Sequence, residues 1–174
     1  MSFIGEVSKG TNYNPGYFLA HEECERKTRE IPQSMATTAA NGTKYVKMGT
    51  VYPSNDGNAV GIVYEDVDVT TGNMPGSVVL SGVVYEDRLP ITSVSYNAVT
   101  PAGTENPKEQ GWYERSGSSP DYVYTLTTDT TVDGTKTYYA QTVTRMAAAA
   151  KTALAAKGFT FVTEPAVTRP AWNV

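Results

Sequence analysis

Residues 61–66 read GIVYED, and residues 82–87 read GVVYED. The two segments differ only at their second position, where Ile62 is exchanged for Val83. Each segment places strand-forming residues between a glycine and two carboxylates. The repeat therefore predicts two similar strands, and its carboxylates are candidates either for duplicated chemistry or for the solvated ends of those strands.

The glycines and the apolar residues of the repeat indicate how the two strands are packed. Gly61 and Gly82 allow a close approach of another backbone or a bulge. The apolar runs that follow them are too continuous for a strand that is buried on one face only. We therefore expect both strands to be covered on two faces, by a C-terminal helix and by a neighbouring subunit.

The carboxylates give little support for catalysis or metal binding. Neighbours such as Glu65 and Asp66 point to opposite faces of a strand, so they cannot meet at one point. Glu65 and Glu86 can approach each other if their strands pair suitably, which leaves a glycosidase-like pair as an alternative. Asp66 and Asp68 resemble the start of a calcium loop, but Thr71 and Ser77 stand where that loop requires Gly and Glu. We interpret the carboxylates as a solvated rim.

Histidine and cysteine chemistry is also poorly supported. His21 and Cys24 are the only residues of their types in the chain. A zinc site needs about four ligands, and a Cys–His catalytic pair needs a framework that orients it. No phosphate-binding loop, nucleophile elbow or zinc-protease motif is present. We therefore expect a protein that is not an enzyme and that uses no metal or cofactor.

Composition narrows the class of protein further. The chain has 174 residues with 14 basic and 18 acidic side chains, which argues against nucleic acid as a partner and for one domain with at most a small second one. No apolar run approaches the length of a transmembrane helix, and the N-terminus lacks the features of a signal peptide. We expect a chain that is made in a cytoplasm and does not enter a membrane.

The first 35 residues are rich in aromatic and aliphatic side chains that follow no regular period. Disordered tails seldom carry this many aromatics, so we predict an arm, 1–35, that orders on a partner. A poorly ordered terminus is the alternative. The candidate contact residues of this arm are Phe3, Ile4, Tyr13, Tyr17 and Phe18.

Residues 94–142 are rich in Thr, Tyr and Ser and contain a faint repeat. Tyr96 precedes Trp112 and Tyr113 much as Tyr124 precedes Tyr138 and Tyr139. We interpret each half as a β-hairpin with an aromatic pair on its return strand. Exposed aromatic pairs stack on sugars or on a protein partner, so the candidates for exposed binding are Trp112, Tyr113, Tyr138 and Tyr139. In the alternative interpretation, one residue of each pair fills the core of the module.

The remaining segments predict the organisation of the chain. Residues 145–157 have the highest helix propensity, and residues 159–162 follow as a short strand. The prediction is a mostly β protein with one short Ala-rich C-terminal helix, of the α+β class. Its core, 36–93 plus 143–174, is interrupted by the inserted β-hairpin module 94–142.

Several segments together resemble the head-decoration proteins of tailed phages. They are GTVYPSND (49–56), AVGIVYEDVDV (59–69) and VVLSGVV (78–84). The lambdoid head-stabilising proteins, and the related head-fibre proteins of phages of Gram-positive bacteria, have strands and turns of this kind in the same order. The Ala-rich helix followed by FTFV (159–162) is similar to the end of head-fibre sequences. The resemblance covers about 36–93 and 143–165.

The resemblance implies a small β-barrel or β-tulip-like domain that is a structural protein of the virion. Such proteins bind the major capsid protein on the outer surface of an icosahedral shell, commonly as homotrimers, and stabilise the expanded shell. In the lambdoid proteins an N-terminal arm adds to capsid strands, as expected for residues 1–35 here. The long arm and the insertion depart from the family pattern. We expect the insertion to face outward, and an alternative function is a displayed module that binds carbohydrate or a host surface glycan.

Overall fold

The computed structural model describes residues 14–164. In this range the chain forms two compact units. The first unit contains residues 14–90 and 145–164, and the second unit is Ile91–Thr144. The predicted insertion, 94–142, lies inside the second unit. Phe3, Ile4 and Tyr13 of the predicted arm lie outside the described residues.

The described residues are mostly β, with 38% in strands and 9% in helices, so the predicted fold class is confirmed. The strands of the first unit before the insertion are β1 (Glu25–Ile31), β2 (Thr37–Thr38), β3 (Lys44–Val46), β4 (Val51–Tyr52), β5 (Gly61–Val63), β6 (Val67–Asp68) and β7 (Met74–Tyr85). The strands of the second unit are β8 (Ser93–Val99), β9 (Tyr113–Ser116), β10 (Val123–Leu126) and β11 (Tyr138–Thr144). The first unit resumes with helix α1 (Ala148–Ala155) and strand β12 (Phe159–Val162).

Strand β7 is the centre of the first unit. Its first part lies between β1 and β5, both antiparallel to it, and its last part pairs with β12 in parallel. The sheet order is β1-β7-β5-β4, with β12 beside β7. Within residues 14–164 its two outer strands do not pair with each other, and no sheet of the protein is closed into a barrel. The expected β-barrel is therefore wrong, because β4 is only two residues long and leaves the sheet open.

Both faces of this sheet are buried, as the apolar runs of the repeat predict. Ile62 and Val79 form a cross-strand pair in a core that also contains residues of α1, which we call the helix-side core. Val63 and Val78, the next pair, belong to a second core with residues of β3 and β6. The three-stranded sheet β2-β3-β6 covers this second face. The expected cover by a neighbouring subunit is wrong, because the chain supplies both layers itself.

The predicted arm is longer than the structure allows. Phe18 is 1% exposed in the helix-side core, and Leu19 forms a β-bridge with Val84. Strand β1 then pairs with β7 along its whole length and ends in the fully buried Ile31. The boundary at residue 35 is therefore wrong, because residues 18–31 are an integral part of the first unit. The sequence of β1 gives no apolar pattern typical of a strand, because its charged residues are exposed and only its last residue is buried.

Helix α1 is shorter than predicted, and Ala147 is its N-cap. The backbone N–H of Ala147 donates to Asn55 Oδ1 at 2.9 Å, so an asparagine distant in sequence fixes the start of the helix. Ala150 and Leu154 are the buried residues of the helix. No helix among the described residues is long and apolar enough to cross a membrane.

The second unit is one four-stranded antiparallel sheet of order β10-β9-β11-β8. Strands β9 and β10 form a hairpin, but β8 pairs with β11 and not with β9. The prediction of one hairpin for each half of the repeat is therefore wrong. The two halves interleave, so that Tyr113 of the first half lies directly opposite Tyr139 of the second.

The register of this sheet gives the faint repeat a structural meaning. Tyr96 lies opposite Gln141, two residues after Tyr139. Tyr124 lies opposite Arg115, two residues after Tyr113. Half a turn about an axis through the Tyr113–Tyr139 pair therefore exchanges β9 with β11 and β10 with β8. The second unit has an approximate internal two-fold symmetry that follows from the repeat.

Candidate functional site

Three of the four carboxylates of the repeat, those of Asp66, Glu86 and Asp87, make contacts within the first unit. Asp66 Oδ1 accepts from the backbone N–H of Met48 at 2.7 Å, and Asp87 Oδ1 accepts from that of Glu164 at 3.1 Å. Glu86 forms an ion pair with Lys151 on α1. No group of three or more His, Cys, Asp or Glu side chains in residues 14–164 is placed to hold a metal ion. These carboxylates therefore accept hydrogen bonds or form an ion pair within the fold, and the interpretation as a solvated rim describes them less well.

His21 and Cys24 lie close to the candidate contact residues of the arm. Both line a cavity of about 500 Å³ in the first unit, together with Tyr17 and Arg26. His21 is exposed, whereas Cys24 is half-buried and packs against the helix-side core. The structure thus gives Cys24 a packing role.

The cavity is bordered by a surface of stacked tyrosines and arginines, which we call the tyrosine–arginine surface. Its members are Tyr17, Arg26, Tyr64, Tyr85 and Arg88. The guanidinium of Arg26 lies 4.2 Å from the ring centroid of Tyr64. That of Arg88 lies 4.3 Å from Tyr17 and 4.4 Å from Tyr85. Tyrosine and arginine are, with tryptophan, the residues that are enriched at binding hot spots, because each combines a large contact area with polar groups.

Arg88 is fixed, whereas Arg26 is available. Arg88 forms a two-pronged ion pair with Glu164, and its Nη1 donates to the carbonyl of Tyr17 at 2.9 Å. The hydrogen bond from Arg88 lowers the pKa of Glu164, and the same bond raises the pKa of Arg88. Arg26 has no carboxylate partner in the described part of the chain and is exposed. No local sequence pattern indicates this surface, because Arg88 and Glu164 are distant in the chain.

The two predicted arm contacts that the structure describes, Tyr17 and Phe18, lie in different environments. Tyr17 is 50% exposed and belongs to the tyrosine–arginine surface. Phe18 points into the core instead, so its predicted role as a contact residue is wrong for this conformation. The physical reason is a turn over residues 15–18, in which the backbone N–H of Leu19 donates to the carbonyl of Gly16 at 2.8 Å; this turn leaves Tyr17 exposed and places Phe18 in the core.

The predicted binding aromatics of the second unit are mostly internal. Trp112 and Tyr138 are buried against each other, with ring centroids 5.8 Å apart, and Tyr139 is buried on the opposite face of the sheet. Only Tyr113 is half-exposed. The expected exposure of Trp112, Tyr138 and Tyr139 is therefore wrong, because a unit of this size needs these large side chains for its core.

A polar network surrounds Tyr138. Its hydroxyl donates to Asp129 Oδ2 at 2.7 Å, and Lys136 Nζ donates to the same oxygen at 2.8 Å. The hydrogen bond from Lys136 is the main cause that lowers the pKa of Asp129. Burial, followed by the hydrogen bond to Asp129, raises the pKa of Tyr138. Because the backbone N–H of Asp133 also donates to the Tyr138 hydroxyl, the network ties the loop before β11 to that ring.

Tyr113 and Tyr139 belong to a cluster of four tyrosines that also includes Tyr96 and Tyr124. The rings of Tyr96 and Tyr124 stack with centroids 3.9 Å apart and an interplanar angle of 3°. Tyr113 meets Tyr96 edge-on at 5.1 Å, and Tyr139 meets Tyr124 edge-on at 5.3 Å. The stacked pair thus links the two outer strands of the sheet, β8 and β10. Tyr139 is buried in this cluster, and the other three rings are half-buried.

No family model matches the chain, and neither a curated protein nor a solved structure matches it. The candidate site is therefore described from its own geometry: the tyrosine–arginine surface of the first unit, beside the cavity that contains His21 and Cys24.

Proposed function

We propose that this chain is a structural protein of a phage virion that binds the outer surface of an icosahedral capsid and stabilises the expanded shell. One observation carries the proposal. The segments that resemble head-decoration proteins, 49–56, 59–69, 78–84 and 147–162, supply β4 to β7, α1 and β12, which form most of the two cores of the first unit. The resemblance thus falls on the residues that determine this unit, while the second unit lies in one of its loops.

The tyrosine–arginine surface is the proposed attachment site on the major capsid protein. It offers an exposed tyrosine, Tyr17, and a guanidinium that has no carboxylate partner within residues 14–164, Arg26, beside a cavity. It also lies where the chain enters the described region, directly after the candidate contacts Phe3, Ile4 and Tyr13. A capsid partner that presents carboxylates and apolar side chains fits this chemistry. Assembly as a homotrimer remains a prediction.

The alternative of a displayed carbohydrate-binding module has lost its supporting residues. Three of its four aromatic candidates are buried, and the fourth packs edge-on against Tyr96. We therefore propose the capsid function alone. It requires no catalytic group and no cofactor.

The test is binding of the purified chain to expanded shells that lack decoration. We expect saturable binding and a higher temperature of shell disruption. Arg26→Ala combined with Tyr17→Ala should weaken binding about tenfold or more, since truncation of hot-spot residues costs about 1–2 kcal/mol or more.

Arg29→Ala is the matched control. Arg29 lies on the same strand, β1, but on the opposite face of the sheet, across from Gly76, whereas Arg26 lies across from Val79. We expect this variant to bind as the wild type does. A chain that fails to bind expanded shells would refute the function. Binding that depends on Arg29 and not on Arg26 would refute the attachment surface but leave the function standing.

A further inference from the structure

The two long edge strands of the protein differ sharply in charge. Strand β1 reads ERKTREI, so five of its seven side chains are charged. Strand β8 reads SVSYNAV and has no charged residue, no proline and no glycine. Each strand has a partner on one side only within residues 14–164. Proteins protect exposed edges with charges, short strands or proline, because an open edge is a template for another strand. β1 has this protection, and β8 lacks it.

The strand next to β8 in the sheet is uncharged as well. β11, the one strand paired with β8 in the described part of the chain, reads YYAQTVT and is also uncharged. Val94 and Val143 form a cross-strand pair at the end of these two strands. They remain 43% and 39% exposed, which is unusual for paired valines on the same face as a tyrosine cluster. The open edge of β8 thus has an apolar flank that pairing with a further strand would cover.

We propose that β8 pairs with β8 of a second copy of this chain, in antiparallel orientation, and extends the four-stranded sheet of the second unit across a two-fold axis. A neutral strand can pair with itself without repulsion between like charges, and a two-fold contact needs only one self-complementary strand. This association is a property of the second unit and goes beyond the proposed attachment to a capsid.

The opposite edge of the same sheet is the less suitable partner. Internal symmetry makes β10 the equivalent of β8, and β10 is also uncharged. β10 has only four residues, however, whereas β8 has seven. Pairing of β8 with itself therefore forms the longer ladder.

Only one register lets all seven residues of β8 overlap with a second copy. It places Tyr96 opposite Tyr96 of the second copy, Val94 opposite Ala98, and Ser95 opposite Asn97. Ser95 and Asn97 are exposed and lie on the face opposite the tyrosine cluster, so their replacement leaves that cluster intact. This pair gives a test that is specific for the register.

The experiment compares charge variants of the full chain by sedimentation equilibrium over a range of concentrations. S95K/N97K places lysine opposite lysine twice across the axis, and S95K/N97E places lysine opposite glutamate at the same positions. We expect the wild type to associate and S95K/N97K to weaken the association at least tenfold, a difference of about 1.4 kcal/mol. We expect S95K/N97E to restore it. Thr125→Lys, on β10, is the control and should behave as the wild type.

A mixture keeps the test decisive if a variant folds poorly alone. S95K/N97K and S95E/N97E should each remain dissociated alone and should associate when they are mixed. Circular dichroism of each variant checks that it is folded. The proposal is overturned if the wild type is no heavier than S95K/N97K at any concentration, or if S95K/N97K and S95K/N97E associate equally. It is also overturned if Thr125→Lys dissociates the chain as S95K/N97K does, because β10 is then the partner.

Discussion

Gly61, the first residue of GIVYED, is the position where the fold is most sensitive to a single methyl group. It is buried on β5, next to the central strand β7. A Cβ atom at this position would lie 2.3 Å from the carbonyl oxygen of Val79 and 2.6 Å from Cγ1 of Val78. Both distances are far below van der Waals contact, so Gly61→Ala requires β5 and β7 to separate.

The structure sets the magnitude of this effect. Overpacking of a core costs about 1–3 kcal/mol when side chains can adjust, and it costs more when they cannot. Here the nearer atom belongs to the backbone of β7, which is also paired with β1, so the strand cannot move alone. We expect a loss of about 3 kcal/mol, which lowers the unfolding midpoint of a chain of this size by about 6–12 °C.

The assay is thermal unfolding of Gly61→Ala followed by differential scanning calorimetry and by circular dichroism. Gly57→Ala is the matched control, since a Cβ atom at Gly57 meets no atom within 4 Å. We expect the control to keep the wild-type midpoint or to raise it slightly, because alanine restricts the unfolded chain. Equal midpoints for the two variants would refute the close approach of β5 to β7 and, with it, our account of why the repeat begins with glycine.

Two further predictions concern the second unit. Trp112→Ala should destabilise this unit by about 3–5 kcal/mol, because it empties a core position, while Val123→Ala, at a side chain that is 58% exposed, should leave the unfolding midpoint within error. The second prediction concerns Asp129, whose pKa in the folded chain is lowered mainly by the hydrogen bond from Lys136. Its ionisation therefore stabilises the fold at any pH above the unfolded pKa of about 4. This stabilisation is lost as the pH falls through the folded pKa. We therefore expect the unfolding temperature of the second unit to fall in acid, and to fall less in Asp129→Asn; an unchanged acid dependence in this variant would contradict the role of the network around Tyr138.

The sequence predicted the parts of the first unit that local patterns determine. The final strand lies at 159–162 as expected, since four strand-forming residues follow a helix that Gly158 ends at a φ of 95°. The run at 59–69, which is rich in strand-forming residues, is divided into the two strands β5 and β6. The break falls at residues 64–66, where Asp66 accepts a hydrogen bond from the backbone of Met48. This contact joins residues that are distant in the chain, so no local sequence pattern predicts it.

Sequence patterns could not predict the candidate surface either, because it also depends on contacts between residues that are distant in the chain. The tyrosine–arginine surface depends on Arg88, which Glu164 holds from the far end of the chain. Strand β1 was assigned to an arm because its charged residues give no apolar period. Its single buried residue, Ile31, is too weak a signal for a strand that is held mainly by backbone pairing with β7.

The repeat in the second unit shows how a sequence pattern can be sound while the structure inferred from it is wrong. Two similar halves suggest two similar hairpins, yet each half contributes one central and one outer strand to a shared sheet. The interleaved arrangement lets Tyr96 of one half stack on Tyr124 of the other, and it buries Trp112 against Tyr138. Separate hairpins would bury neither pair, and a hairpin alone is only marginally stable in water.

The same symmetry is the reason why we expect the second unit to meet a partner at the edges of its sheet. An internal two-fold that uses both aromatic pairs inside the unit leaves β8 and β10 as the outermost strands. The four tyrosines of the cluster pack on one another, and we expect the second unit to contact a partner through its edges and the apolar residues beside them. If Ser95 and Asn97 tolerate lysine without any change in association, those edges serve no copy of this chain, and the exposed valines of β8 and β11 must be accounted for by a different partner.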